Sequence, residues 1–256
     1  MKVPEVFKCK ILTFFLIFFP SAYGEVNSPS IGQVSVVFES AMGDGEEVWK
    51  EIKSVLSQCT TVVTYNRYET QLKNKRKIIA DDVAKNLQFF LENKSIKPPY
   101  IMVGHSLGGL YAQAFTRNYP NQVSGLILID ATSPLEPEGL FESKSTPKAG
   151  SYVSLEYNGI RESIKNMNFG PSMPNIPLVV FAANEHQDTI EHENIWQDTQ
   201  RKTARLSTKG RYIVVDTHHY IQKSNPEIII KSILDMVSEN GGDISSCVKS
   251  DFLRDN

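Results

Sequence analysis

The stretch Tyr100–Leu110, which reads YIMVGHSLGGL, decides the fold of this chain. A short apolar run ends there in Gly-x-Ser-x-Gly, and a helical pattern follows from Tyr111 to Tyr119. A serine that acts as a nucleophile needs a sharp turn between a strand and a helix, which lifts its hydroxyl above the sheet. Gly104 and Gly108 remove side chains that would clash with the neighbouring strand and helix. The pattern therefore predicts that Ser106 is a nucleophile.

Apolar runs and helical stripes alternate along the whole chain. Besides the run before Ser106, β-branched and apolar segments predict five more strands, at residues 34–38, 61–65, 125–130, 178–182 and 211–215. Between and after them, helical patterns occupy residues 46–56, 79–91, 193–206 and 226–238. Such alternation predicts an α/β fold with a mostly parallel sheet of about six strands and helices on both faces.

Length and charge limit the classes of partner. The 256 residues are enough for one domain with a sizeable core. The net charge of -2 is close to balance, so nothing favours nucleic acid or an anionic membrane surface as a partner.

The N-terminus has the layout of a secretory signal peptide. Lys2, Lys8 and Lys10 precede an apolar run at residues 11–19, and small residues follow at 20–24. The apolar run is shorter than the roughly 20 residues that span a bilayer, so an uncleaved anchor is the lesser alternative. We expect cleavage after Gly24, a domain at 25–256, and a periplasmic or extracellular location.

The cysteines agree with export. Cys9 would leave with the signal, while Cys59 and Cys247 would remain. Cys59 lies just before a predicted strand, at the amino-terminal edge of the sheet. The last helix begins at the opposite edge and runs back toward the same end. We therefore predict that Cys59 and Cys247 form a disulfide.

The polar residues gather where strands end. In open parallel sheets, ligands bind at the carboxyl ends of the strands. Those ends carry the following residues: Ser40–Gly43, Ser106, Asp130, Asn184–Asp188 and His218–His219. A serine hydroxyl needs a base within reach, and histidine is the usual base. His218 and His219 both qualify by position, because they directly follow the last strand.

The run Gly104–Gly109 resembles the nucleophile elbow of the α/β-hydrolases, and the resemblance extends from about Val34 to Val237. His219-Tyr220-Ile221-Gln222 is similar to the family's stretch before the last helix, which implies that His219 is the base. The family usually has eight strands, but residues 25–33 are too short for the first two. The resemblance also implies a short cap insertion at 131–176, before a polar tail at 241–256.

The acid of the triad is the least regular feature. The family usually places it in the turn after the strand at 178–182, where His186 stands at the expected position and Asp188 is out of step. A few α/β-hydrolases place the acid after the preceding strand instead, and Asp130 directly follows that strand here. We therefore expect Asp130 to be the acid, with Asp188 as the alternative.

Two backbone amides are expected to hold the oxyanion of the tetrahedral intermediate. One belongs to Leu107, the residue after the nucleophile. The other should come from the turn after the first strand, where many family members have His-Gly and this chain has Glu39-Ser40-Ala41-Met42-Gly43. Ala41 is the expected donor, with Met42 as the alternative.

The resemblance implies a secreted, carboxylesterase-like serine hydrolase that cleaves a small-molecule ester, thioester or amide through an acyl-enzyme on Ser106. It implies no organic cofactor, and the spacing of Cys and His does not suggest a metal site. One alternative is an acyltransferase that uses the same site. Another is a catalytically silent member that serves as a binding protein.

Overall fold

A computed structural model describes residues 34–67, 76–137, 147–186 and 189–249. Within these ranges six strands form one parallel sheet. Their bounds are β1 (Ser35–Glu39), β2 (Thr61–Val63), β3 (Tyr100–His105), β4 (Val123–Ile129), β5 (Leu178–Ala183) and β6 (Gly210–Val215). The predicted fold class and the number of strands are confirmed.

Helices connect the strands. A 3-10 turn at Glu46–Trp49 leads into the first of them. Their bounds are α1 (Lys50–Leu56), α2 (Ala80–Asn93), α3 (Leu107–Asn118), α4 (Tyr152–Phe169), α5 (Ile190–Ala204), α6 (Ile221–Ser224), α7 (Pro226–Glu239) and α8 (Ser245–Val248). In the described part of the segment predicted to be a cap, α4 is the helix.

The order of strands in the sheet is β2-β1-β3-β4-β5-β6. The chain therefore leaves β1 toward one edge and later returns to add strands on its other side. The carboxyl ends of β1 and β3 are neighbours, with Glu39 opposite Gly104 in the register. A reversal of strand order at this point opens a crevice, which is where parallel sheets bind ligands.

Alternate strand residues face two separate cores. Val37 and Met102 lie in the core with α2 and α3, whereas Val36, Phe38 and Val103 lie in the core with α1 and α7. The period of two along each strand requires this division, and both sets are fully buried. The sheet is covered on both faces, as an all-parallel sheet requires.

Several element ends differ from those predicted. β2 ends at Val63 instead of Tyr65, and the Thr64 and Tyr65 side chains bond to Glu46 and Glu39. α5 begins at Ile190, three residues earlier than predicted, because Thr189 caps it by accepting a hydrogen bond from the amide of His192. Capping is a side-chain contact that apolar periodicity does not detect.

The predicted disulfide between Cys59 and Cys247 is confirmed. Their Cα atoms are 5.6 Å apart, and 188 positions separate them in sequence. Cys247 belongs to α8, in the segment predicted to be a polar tail, and it is fully buried. The bridge fastens this segment to the amino-terminal side of β2.

The described helices can be compared with the length and hydropathy of a membrane span, whereas the predicted signal peptide cannot. None of the helices within the described ranges is both long and apolar enough to cross a bilayer. The predicted signal peptide at 1–24 lies outside the described residues.

Candidate active site

Ser106 occupies the turn between β3 and α3 with a backbone φ of 52° and ψ of -125°. A positive φ is rare for a residue with a side chain, and it marks a strained turn. The turn also explains Gly108, since a Cβ there would lie 2.3 Å from the carbonyl oxygens of Glu39 and Ser40. The sequence folds into a sharp elbow at Ser106 because its neighbours leave room for the chain.

The loop after β1 is held from one side by Arg67. The guanidinium donates to the carbonyl oxygens of Ser40 and Ala41, each at 2.9 Å. In a trans peptide the N–H points opposite to the C=O. The amides of Ala41 and Met42 therefore both point away from Arg67. Neither amide is a donor in the backbone hydrogen bonds found outside helices and strands across the described ranges.

Arg67 itself lies between two buried carboxylates. It contacts Glu39 at 3.0 Å and Glu156 of α4 at 2.9 Å, and Glu156 also accepts a hydrogen bond from the amide of Gly43. Burial raises the pKa of Glu39 to about 6, although the charge of Arg67 opposes the shift. The same two carboxylates, against the opposing effect of burial, raise the pKa of Arg67, so the guanidinium stays charged.

His219 and Asp130 meet at the carboxyl ends of β6 and β4. Nδ1 of His219 lies 2.6 Å from Oδ2 of Asp130. The backbone carbonyl of His219 accepts a hydrogen bond from Nε2 of His105, the residue before Ser106, at 2.9 Å. These contacts bring the predicted base and acid to the elbow, with Nε2 of His219 as the nitrogen that remains for proton transfer.

Asp130 is fully buried and accepts four hydrogen bonds. Oδ2 accepts from His219 and from His186, the latter at 2.7 Å. Oδ1 accepts from the Trp196 indole at 2.8 Å and from the amide of Ala183 at 3.0 Å. Burial by itself would raise the pKa of Asp130, but the hydrogen bonds from the two histidines outweigh it and lower the pKa to about 2.

The sequence predicts that His186 lies in the turn at the site, but it indicates no role for this residue there. Its ring joins Asp130 to Glu193, with Nδ1 2.8 Å from a Glu193 oxygen. One signal was present in the sequence, because His186 stands where the family usually has its acid. The strand-end rule placed the right turn at the site but did not say which of its side chains would turn inward.

The other candidates have different places. His105 is buried. Burial, and to a lesser extent the charge of the neighbouring His219, lowers the pKa of His105 to about 3, so its ring is neutral. The ring of His218 is 66% exposed and contacts the backbone carbonyl of Glu185. Asp188, the alternative acid, lies outside the described residues.

Asp130, His186 and His219 are of residue types that can bind a metal ion. Their candidate donor atoms lie within 4.8 Å of one another. The two N···O contacts between them, of 2.6 and 2.7 Å, are hydrogen-bond lengths. Each joins a nitrogen donor to an acceptor oxygen. The arrangement is therefore that of a hydrogen-bonded cluster.

Comparison with known proteins agrees with this architecture. The sequence model of the alpha/beta hydrolase fold family matches residues 57–175. The uncharacterized protein YqjL of Bacillus subtilis is 24% identical over 212 residues, which cover 79% of this chain and 83% of YqjL. The (lyso)-N-acylphosphatidylethanolamine lipase of Homo sapiens is 35% identical over 68 residues, or 26% of this chain and 20% of the lipase.

Solved structures share the fold at low sequence identity. A thermophilic esterase from Thermogutta terrifontis has a TM-score of 0.66 and 15% identity, covering 84% of this chain and 92% of its own. A carboxylesterase from Nitrososphaera gargenis has a TM-score of 0.61 and 14% identity, covering 88% and 99%. Together with the six-stranded parallel sheet, these matches show that the chain has the α/β-hydrolase fold.

Proposed function

We propose that this protein is a serine hydrolase that cleaves a small carboxylic ester through an acyl-enzyme on Ser106. The strained elbow at Ser106, beside the hydrogen-bonded pair of His219 and Asp130, is the observation that carries the proposal. The esterases among the structurally similar proteins support an ester as the substrate class.

In the proposed reaction, Oγ of Ser106 attacks the carbonyl carbon of the ester while Nε2 of His219 takes the hydroxyl proton. Asp130 holds the ring of His219 in the tautomer that leaves Nε2 free to accept. The tetrahedral intermediate collapses as the alcohol leaves with that proton. Water then gives a proton to His219 as it attacks the acyl-enzyme. His219 returns this proton to Oγ of Ser106 as the carboxylic acid leaves.

The oxyanion would be held by the amides of Leu107 and Ala41, with Met42 as the alternative to Ala41. The contacts of Arg67 with the carbonyls of Ser40 and Ala41 support this assignment, because they turn the amides of Ala41 and Met42 the other way. Fixed amides stabilise the developing charge without having to reorganise during the reaction.

Export from the cytoplasm belongs to the same proposal. The disulfide between Cys59 and Cys247 supports it, because such bonds persist in oxidising compartments. Cleavage after Gly24 predicts a mature protein that begins at Glu25. N-terminal sequencing of protein recovered from the periplasm or the medium tests this, and a start at Met1 would contradict it.

A fluorophosphonate probe tests the nucleophile without knowledge of the natural substrate. Wild type should be labelled, whereas Ser106→Ala should not. Ser124→Ala is the matched control, since Ser124 lies near the amino end of β4 and should label like wild type. A folded Ser106→Ala variant that still labels would falsify the assignment.

A panel of p-nitrophenyl acetate, butyrate and octanoate then tests hydrolysis, with and without an added alcohol. Hydrolysis that is insensitive to the alcohol supports a hydrolase. Transfer of the acyl group to the alcohol in preference to water would instead identify an acyltransferase. A probe-reactive protein that turns over none of the esters would contradict the ester class.

A further inference from the structure

His186 has a carboxylate at each of its two ring nitrogens. Nε2 lies 2.7 Å from Oδ2 of Asp130, and Nδ1 lies 2.8 Å from Oε2 of Glu193. An ionised carboxylate only accepts hydrogen bonds, and a neutral imidazole has a single N–H. Both contacts are satisfied at once only when both nitrogens carry hydrogen, which makes the ring a cation.

The surroundings of His186 favour that cation. The side chain is 19% exposed, and its ring makes an edge-to-face pair with Trp196 at a centroid distance of 5.5 Å. Burial alone would lower the pKa of His186, but its hydrogen bonds and the charges of Asp130 and Glu193 raise it to about 9. His186 therefore carries its charge throughout the neutral range.

This cation lies close to the proposed base. The ring centroids of His186 and His219 are 6.2 Å apart, and both rings bond to the same oxygen of Asp130. A positive charge at this distance opposes a second positive charge on His219. The negative charge of Glu193 balances His186 from its far side, farther from His219 than Asp130 is.

We propose that His186 is a positioning residue whose imidazolium, clamped between Asp130 and Glu193, keeps His219 free of its proton toward lower pH. The inference deepens the proposed function and rests on it. His186 touches no reacting atom, so it acts through Asp130 and through its charge. A triad acid placed after β4 thus receives a fixed counter-charge from the turn where the family usually has the acid.

Other titratable groups lie around His219 and also act on its charge. His105 packs against it with a ring that is neutral, and Tyr220 packs on another side. Around Tyr220 lie the ammonium of Lys223, 4.2 Å from the centre of its ring, and the carboxylate of Asp44. The test varies His186 while leaving all of these unchanged.

The pH dependence of fluorophosphonate labelling measures the effect on the base. His186→Gln removes the cation, so the acid limb of the labelling-rate profile should shift up by about one pH unit. Labelling at pH 6 should then fall by up to tenfold relative to wild type, and labelling on the alkaline plateau should change much less. His218→Gln makes the same substitution at the exposed neighbouring histidine and should leave the limb in place.

A purely structural role would lower the labelling rate equally at every pH. An acid limb of His186→Gln that coincides with that of wild type overturns the inference. Failure of wild type to label at all would overturn the proposed function instead. The two failures are therefore distinguishable.

Histidine ring ¹⁵N NMR measures the charge directly, and it needs neither activity nor a folded His186→Gln variant. In wild type, the His186 ring should be doubly protonated at pH 7 and lose its proton near pH 9. Glu193→Gln, which removes one carboxylate, should lower the pH of this loss. A neutral His186 ring at pH 7 overturns the inference.

Discussion

Oδ2 of Asp130 lies 2.6 Å from Nδ1 of His219, although 89 positions separate the two residues in sequence. The contact joins the carboxyl end of β4 to the loop after β6. It occurs at the alternative acid position of the α/β-hydrolases, one strand before the usual one. The usual turn, after β5, supplies His186 to the same carboxylate.

The first prediction concerns Asp130→Asn. This change keeps the size of the side chain but removes the charge that holds the tautomer of His219. By analogy with the serine proteases, turnover should fall by roughly 10⁴-fold. Ester turnover is measured beside Asp188→Asn, with circular dichroism as the check on folding. If Asp188→Asn shows the loss and Asp130→Asn does not, the acid is Asp188.

The second prediction concerns Arg67, which bridges Glu39 and Glu156. Arg67→Met leaves two buried carboxylates without their cation, so the free energy of unfolding should fall by about 3–5 kcal/mol. Labelling of Ser106 should also slow, because the carbonyls of Ser40 and Ala41 lose their donors. Urea unfolding and the labelling rate are the measurements.

Arg161→Met is the matched control for Arg67→Met. Arg161 lies on the exposed side of the same helix that carries Glu156. Its replacement should lower the free energy of unfolding by no more than about 1 kcal/mol, the range of an exposed charge interaction. If the two variants lost equal amounts of unfolding free energy, the buried ion pairs of Arg67 would contribute no more to stability than an exposed arginine does.

The third prediction is the pH dependence of stability that His186 confers. The folded pKa of about 9 exceeds the unfolded value of 6.5, so the contribution is fully present below pH 6.5 and is lost as the pH rises through 9. The difference in unfolding free energy between wild type and His186→Gln should therefore shrink by about 3 kcal/mol from pH 6 to pH 10. A difference that stays constant over this range would contradict the prediction, and His218→Gln should show little difference at any pH.

The fourth prediction concerns the disulfide. It closes a loop of 188 positions, for which the chain-entropy model gives up to about 5 kcal/mol of stability. The double variant Cys59→Ala/Cys247→Ala should lose much of this in thermal or urea unfolding. Below its melting transition it should still label at the wild-type rate, because the bridge lies at the edge of the sheet opposite the site. A double variant as stable as wild type would show that the bridge adds no stability.

The sheet could be predicted because each strand is a local run of apolar, β-branched residues. The elbow was predictable for a similar reason, since the glycines around Ser106 are needed by the turn itself. The approach of Asp130 to His219 followed from the rule that parallel strands end at one edge. Rules of this kind predict which loops lie at the same edge of the sheet, but they do not predict which side chains in those loops make contact.

The contacts that sequence reasoning missed are of this kind. His186 lies in the turn after β5, and Glu193 lies in the first turn of α5. His186 bonds to Asp130 through one ring nitrogen and to Glu193 through the other. Glu156 lies in a segment with little periodicity, and its partner Arg67 is 89 positions away. No local pattern records a pairing between a loop residue and a distant helix.

The carboxylate of Glu156 gives helix α4 a part in the geometry of the loop after β1. Glu39 is the last residue of β1 and Arg67 follows β2, whereas Glu156 belongs to the segment between β4 and β5. Exchanging that segment for one from a relative would remove one of the two carboxylates that Arg67 binds. The same carboxylate is the acceptor for the amide of Gly43. Efforts to alter substrate range by such grafts must therefore keep an acid at this position, or the graft will disturb the loop proposed to hold the oxyanion.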